Sequence, residues 1–422
     1  MQSINARQRQ LLQGIWRAGR LSRRDLHELT GIRPNTVGAD AGVLLKERIL
    51  RECTSKSLGR GRPRVPLEID PGGRHVIGVA IRPGYVQVCR LNLLGHVLDE
   101  PVARTANQSD MILAETVQLM EERIDESSIG VGLSTPGFVD PQQKAILFSA
   151  YTRGGAMSLQ PAFDAAGRLP VILENDMHAL AARWLLTHQA EQNEDVLLVY
   201  FEDGQMGAAM LIGGRPNRGV VTGANELGHT RLPVDTETCF CGHPGCLERI
   251  CSTQFLHRHG VRGETLSERA GKFDPNDEAM KLMITHLSTG FANAVNFTRV
   301  NRLVLVSEMT GHERFAGALV EAIKGKMLGE LSGRVRVDLW SQPAARSAET
   351  AGWLALASLY YEGWNQKSGA MPPEAGAGES AGAGEGVGAE GAGDAGDAGD
   401  AGLEDAADAG AGAAEAEAEA ES

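Results

Sequence analysis

The chemistry in this chain is concentrated between Glu226 and Ser252, where the sequence reads ELGHTRLPVDTETCFCGHPGCLERICS. Three of the six cysteines, Cys239, Cys241 and Cys246, fall within eight residues, and His229 stands ten residues ahead of the first. Three thiolates and one imidazole fill the tetrahedral shell of Zn²⁺ and leave no position for an activated water. One structural zinc per chain is therefore expected. Gly242 and Gly245 allow the sharp reversal that brings the sulfurs together. His243, inside the knuckle, is a competing nitrogen ligand, and Cys251 is a spare thiol. Such clustering is a metal-site pattern; a disulfide framework spreads its cysteines over a small secreted chain.

A second chemistry, attraction to a polyanion, belongs to residues 1–74, which hold 15 Lys and Arg against 7 Asp and Glu. Cations beside phosphates release condensed counterions, so this head suits nucleic acid although the whole chain carries a net charge of −13. Residues 5–18 place Leu11, Leu12, Ile15 and Trp16 at helical spacing. A second helix starts at Ser22 with Asp25 in a capping-box position and Leu26 and Leu29 facing inward. Gly31 makes the turn. A third helix opens near Pro34 or Asn35 and runs to about Glu47, burying Val37, Val43, Leu44 and Leu45. Short strands around 49–51 and 65–69 flank a basic loop, Lys56 to Arg64.

This is helix-turn-helix spacing with a wing. It sets Arg33, Asn35, Thr36 and Asp40 to reach base edges in a major groove, with Arg23 and Arg24 over the backbone. The spacing alone also fits a generic three-helix bundle. The segment GRGRP favours DNA, because Arg60 and Arg62 between glycines suit a narrow, electronegative minor groove.

Beyond residue 74 the pattern turns to paired strands followed by alternating helices and strands: HVIGVAI, YVQVCRLNL, a helix over 109–124, SIGVGLS, PVILE, a helix over 176–190, VLLVYF, a helix over 277–299, RLVLVS and a last helix over 347–361. Hairpin-then-helix units of this kind suit an α/β fold of two lobes enclosing a cleft. Three regions are expected: a winged helix-turn-helix head, 1–74; an α/β ligand-binding region, 75–365; and a tail, 366–422, of Gly, Ala, Asp and Glu, which should be disordered. No run approaches 18 apolar residues and the N-terminus lacks the apolar stretch of a secretory signal, so a soluble cytoplasmic protein with no membrane contact is expected.

Four motifs occur in order: the head RLSRRDLHELTGI with NTV and GRGRP; GLSTPGFVD, Gly132 to Asp140; Glu174-Asn175-Asp176; and Glu226, Gly228, His229, Cys239, Cys241, Gly242, Gly245, Cys246 and Glu248. Together they resemble the ROK family (repressors, open reading frames, sugar kinases), over about residues 5–360, and the head is similar to that of its transcription-factor branch. The resemblance implies the actin-like ATPase fold. It also implies that Asn175 and Asp176 contact sugar hydroxyls from the end of the PVILE strand, that Glu226 and Glu248 bind others, and that His229 turns one nitrogen to zinc and one to the sugar. Carboxylates accept strongly from hydroxyls, and a metal-held imidazole is fixed in direction.

In family kinases the aspartate matching Asp176 is the general base. The phosphate loops of those kinases are absent here. Ala80, Arg82 and Pro83 replace the first, Glu202, Asp203, Gly204, Gln205, Met206 and Gly207 replace the second, and Val306, Ser307 and Glu308 stand where glycines pack on adenosine. Acidic residues repel phosphate and too few glycines remain to cradle it. The segment FSAYTRGGAM also departs from the family kinases' asparagine-containing loop. The resemblance thus implies a non-enzymatic repressor of sugar-metabolism genes. Its partners would be operator DNA and a sugar or sugar-phosphate effector, and it would work as a homodimer or homotetramer with Asp176 a vestigial base. An active hexose or amino-sugar kinase with an appended head is the alternative. A phosphotransferase-system protein as the regulating partner is a third reading.

Overall fold

The computed structural model describes residues 4–364 apart from 54–64, 150–154, 189–193, 220–221, 224, 235, 343–346 and 362–363. The tail expected to be disordered, and Arg60 and Arg62 of the wing, lie outside the described residues. Residues 1–370 form one compact unit.

Helix α1 (Ala6–Ala18) begins at Asn5, which exchanges reciprocal side-chain and backbone hydrogen bonds with Gln8. Strand β1 (Leu21–Ser22) leads into α2 (Arg23–Thr30), opened by the Ser22–Asp25 capping box and closed by Gly31 at φ 70°, a conformation that favours glycine. Helix α3 (Pro34–Lys46) has its proline in the first turn. Strands β2 (Leu50–Glu52) and β3 (Pro66–Ile69) complete an antiparallel sheet in the order β1-β3-β2. The expected winged helix-turn-helix is present, and Leu26, Val37 and Leu44 are buried as expected, with Leu45 packed at the edge of the core. Leu29 and Val43 are exposed, at 62% and 38%, and the buried stripe is Leu26, Val37, Ala41 and Leu44.

The first lobe contains β4 (His75–Arg82), β5 (Gly84–Asn92), β6 (Val102–Ala106), α4 (Ser109–Arg123) and β7 (Ser128–Thr135). A small sheet follows, β8 (Phe138–Asp140), β9 (Ala145–Phe148) and β10 (Met157–Ser158), then α5 (Gln160–Ala165) and β11 (Val171–Asn175). The main sheet runs β11-β7-β4-β5-β6, with β4, β7 and β11 parallel and β5 and β6 antiparallel additions. Helix α6 (Asp176–Thr187) follows β11 directly.

The second lobe repeats the plan. It contains β12 (Val196–Glu202), β13 (Gln205–Ile212), β14 (Arg215–Pro216), α7 (Leu247–Ile250), α8 (Thr253–Arg258), α9 (Leu266–Gly271), α10 (Glu278–Thr298), β15 (Arg302–Val306), α11 (Glu313–Lys326), α12 (Gly329–Ser332) and β16 (Arg336–Trp340). Its sheet runs β14-β13-β12-β15-β16. Helix α13 (Ala348–Tyr360) returns to the first lobe, lying so close to β4 and β7 that a Cβ on Gly78 or Gly132 would meet the carbonyl oxygen of Ala348 or Ala351 at 1.9 or 2.0 Å. Both strands are buried along their whole length, which is why they read as unbroken apolar runs.

The head is seated on this framework. Trp16 stacks on Tyr360 with ring centroids 4.7 Å apart, meets Trp353 edge-on at 6.2 Å, and donates its Nε1–H to the carbonyl of Leu186 in the last turn of α6. Arg9 Nε donates to the Ser358 carbonyl at 3.0 Å. Leu11, Leu12 and Ile15 share one apolar cluster with Leu180, Trp184, Trp353 and Leu356.

Candidate functional site

The α6 N-terminus sits at the floor of a cavity of about 490 Å³. Asn175 caps the helix: its Oδ1 accepts from Met177 N–H at 2.8 Å and its Nδ2 donates to the Gly137 carbonyl at 2.7 Å. All five residues that the resemblance assigns to a sugar, Asn175, Asp176, Glu226, His229 and Glu248, line this one cavity. They come from three places, namely the β11–α6 junction, the short helical turn at 227–229, and α7.

The cysteine cluster forms one wall. The ligand atoms of His229, Cys239, Cys241 and Cys246 all lie within 4.8 Å of one another. The Cys241 and Cys246 sulfurs are 3.5 Å apart, and His229 Nδ1 is 3.6 Å from the Cys239 sulfur. A tetrahedral zinc with bonds of about 2.3 Å to sulfur places its ligands roughly 3.8 Å apart, so the four residues fit that ion. His243 Nδ1 instead contacts the Cys241 carbonyl at 3.1 Å and lies 3.9 Å from its sulfur. Cys251 is fully buried and outside the cluster. With Nδ1 turned to the sulfurs, His229 Nε2 faces Glu226, 3.7 Å from its carboxylate. Glu248, its carboxyl pushed up by burial, lies 3.7 Å from the Cys239 sulfur and 3.4 Å from Met206 N–H. Phe240, 60% exposed, sets its edge against the His229 ring.

Asp176 is not an open base. It is buried, and its Oδ2 accepts from Arg82 Nη1 at 2.5 Å, while Arg82 Nη2 donates to Gln205 Oε1 at 3.1 Å. Arg82, Gln205, Phe138, Phe148 and Phe240 all line the cavity and were not among the expected site residues. The one signal for Arg82 was its standing where a phosphate loop carries glycine.

At the positions where the resemblance puts the kinases' second phosphate loop and adenosine-packing glycines, side chains bond to the chain's own backbone. Glu202 Oε1 accepts the Glu308 N–H at 2.6 Å, and burial, aided by the like charge of Glu308, raises the Glu202 pKa. Asp203 accepts the Thr253 N–H at 2.6 Å and the Thr253 hydroxyl. Ser307 caps the next turn by accepting from Met309 N–H. These carboxylates occupy backbone donors of the kind that would otherwise hold a phosphate.

On the head, Arg33 and Asn35 are exposed and Thr36 half-exposed at the start of α3. Arg23 pairs with Glu52 at 2.9 Å and Arg24 with Glu28 at 2.7 Å. Asp40 departs from expectation: it is 6% exposed and bound by Arg7 Nε at 3.1 Å, so it ties α3 to α1 and does not present to a groove.

A model of the ROK family matches residues 76–359. The xylose repressor of Bacillus subtilis (strain 168) is 26% identical over 256 residues, which is 59% of this chain and 66% of that repressor, just under two-thirds of its length. Among solved structures, a ROK family transcriptional regulator, a homologue of the E. coli MLC protein, superposes with a TM-score of 0.69 at 20% identity, covering 85% of this chain and 98% of its own. A ROK family glucokinase from Streptomyces griseus, in complex with glucose and AMPPNP, superposes with a TM-score of 0.54 at 20% identity, covering 67% of this chain and 99% of its own. At these identities the structural likeness is one of fold.

Proposed function

The chain belongs to the ROK family, and on that premise we propose that it is a DNA-binding transcriptional regulator of the repressor type, answering to a sugar or sugar phosphate held between its lobes. One observation carries the reading. The residues suited to a sugar line a single cavity, while Glu202, Asp203 and Ser307 close the nucleotide side with bonds to the chain's own backbone. Sensing is kept and phosphoryl transfer is not. The head over 1–74 reads operator DNA through Arg33, Asn35 and Thr36, and the region 75–365 holds the effector. The xylose repressor and the MLC-like regulator support this reading by name.

Paired half-sites follow protein symmetry, so a homodimer, or a tetramer built from it, is the working form. His229, Cys239, Cys241 and Cys246 hold one structural zinc, which when bound would neutralise the thiolates and fix the loop carrying Glu226. Among the described residues no helix is long and apolar enough to cross a membrane, and a cytoplasmic regulator is the reading that fits a DNA ligand.

The test is selection of DNA from a random pool by the full chain, followed by anisotropy of the selected duplex against a panel of monosaccharides and their phosphates. Sequence-selective binding that one panel member weakens is expected. Binding that no sugar or phosphate changes would remove the effector part and leave a protein partner, such as a phosphotransferase component, as the regulator. ADP release with any hexose, lost in Asp176→Asn, would restore the kinase reading.

A further inference from the structure

We propose that the effector of this cleft carries a phosphate ester and that Arg82 selects it; this deepens, and rests on, the reading of the cleft as a sugar-effector site. Arg82 ends β4 immediately before Pro83 and Gly84, and its guanidinium is buried in the cavity wall. A buried guanidinium is stable only with a matched anion. In the ligand-free chain that anion is Asp176, at 2.5 Å. The carboxylate that a neutral sugar hydroxyl would need is therefore already engaged, and such a hydroxyl must compete with an arginine for it.

A phosphate ester meets the opposite situation. Its oxygens accept two parallel N–H bonds from a guanidinium fork, so it can take the place of Asp176 or share the arginine with it. A second guanidinium reaches the same part of the cleft. Arg249 Nη1 would lie 3.7 Å from a Cβ on Gly204, next to the Gln205 that Arg82 binds. Arg249 Nη2 is held by Glu237 and Gln254, while its Nε is buried without a hydrogen-bond partner among the described residues.

The acids of the same hairpin do not oppose this. Glu202 and Asp203 are bonded to Glu308 N–H and to Thr253, and neither lines the cavity. The cleft is thus polarised. Glu226, beside His229 at the cysteine cluster, accepts from hydroxyls, and Arg82 with Arg249 at the 204–205 turn donates to an anion in competition with the two carboxylates there, Asp176 on Arg82 and Glu248 at Met206 N–H. A sugar phosphate has that polarity; a neutral sugar has only half of it.

The experiment is calorimetric titration of the full-length, zinc-replete protein with matched pairs: glucose and glucose 6-phosphate, N-acetylglucosamine and its 6-phosphate, mannose and its 6-phosphate, and inorganic phosphate alone. One phosphorylated sugar should bind at least about tenfold tighter than its neutral partner. Arg82→Gln should bring the two members of that pair within about twofold, and Arg82→Lys, which keeps the charge but loses the fork, should fall between. Asp176→Asn should tighten the phosphate, because it removes the competing carboxylate and keeps the shape. Thermal unfolding of each variant, and of Arg249→Gln as an independent route to the same loss, separates binding effects from misfolding. Neutral sugars that bind as tightly as their phosphates in the native protein would overturn the proposal and leave the effector reading standing. Inorganic phosphate binding as tightly as the ester would overturn it as an adventitious ion only. Failure of every sugar and phosphate to bind at about 10 mM would overturn the effector reading itself.

Discussion

Replacing Trp16 by alanine should disconnect the two ends of this molecule. The indole stacks on Tyr360, touches Trp353 edge-on and bonds to the Leu186 carbonyl. Full burial of a tryptophan is worth about 3–5 kcal/mol against alanine. Trp16 is only partly buried, so about 2–3 kcal/mol is the reasonable loss, its aromatic pairing and hydrogen bond included. That corresponds to a shift of about 30- to 150-fold in the equilibrium between docked and undocked head, at about 1.4 kcal/mol per tenfold. The position matters because α6 begins in the cleft at Asp176 and ends beside Trp16, about 18 Å along a rigid helix. Coupling between the proposed effector site and the head requires an element that both can bias, and this helix runs from the cavity to Trp16 of α1. In Trp16→Ala, hydrogen exchange of α1 amides should quicken, the head should melt ahead of the lobes, and operator binding should persist while its response to effector collapses. Trp16→Phe keeps the stack and should lose only about 1 kcal/mol. A Trp16→Ala protein whose operator affinity still responds fully to effector would refute the coupling role of this contact.

Other outcomes are equally specific. Metal analysis should find one zinc per chain, Cys246→Ser should lose it and unfold at lower temperature, and retention of full metal by that variant would dismiss the four-ligand site. Asn35→Ala should weaken operator binding by about 1–3 kcal/mol and relax one base position. Asp40→Ala should leave base preference unchanged and remove up to about 1 kcal/mol of stability, because its Arg7 partner is largely exposed; altered sequence preference would return Asp40 to the groove. Glu202→Gln should raise the unfolding temperature at neutral pH, since burial raises the carboxyl's pKa and its ionised form weighs against the fold. The sign follows from proton uptake. As pH falls through the raised pKa the native protein binds the proton first, so the variant's advantage should fade toward the ordinary carboxylate range, and a pH-independent difference would contradict it.

Much of this was legible because it is local. Capping at Ser22 and Asp25, the glycine turn at Gly31, and the spacing of Cys239, Cys241 and Cys246 depend on neighbours a few residues away. The centre of α3's buried face, Val37 and Leu44, was legible, but its edges were not: Gly38, Ala39, Ala41 and Gly42 in the middle of the helix give little apolar contrast. Packing against α1 and α2 decides that Ala41 and Asp40 turn in and Val43 turns out. Arg82 could be read as a missing glycine, but its pairing with Asp176 spans 94 residues and is a property of the folded cleft. The same holds for Trp16, whose partners Trp353 and Tyr360 lie more than 330 residues further along the sequence.

The duplicated plan of the lobes explains why the departures from a phosphate site fall where they do. Strand order β11-β7-β4-β5-β6 in the first lobe matches β16-β15-β12-β13-β14 in the second, so the β4–β5 turn and the β12–β13 turn are equivalent hairpins. Both turns reach the cavity, one through Arg82 and Pro83 and the other through Gly204 and Gln205. A nucleotide triphosphate needs backbone N–H groups from such turns, free and glycine-lined. Here the first turn contributes a guanidinium that engages Asp176, and the second contributes carboxylates that engage Glu308 and Thr253. On the proposed reading both changes disfavour phosphoryl transfer, since Arg82 occupies the Asp176 carboxylate and the carboxylates of the second turn occupy backbone donors that a triphosphate would use. On the proposed reading, these changes at equivalent turns remove the phosphate loops while Glu226 and His229 still line the cavity.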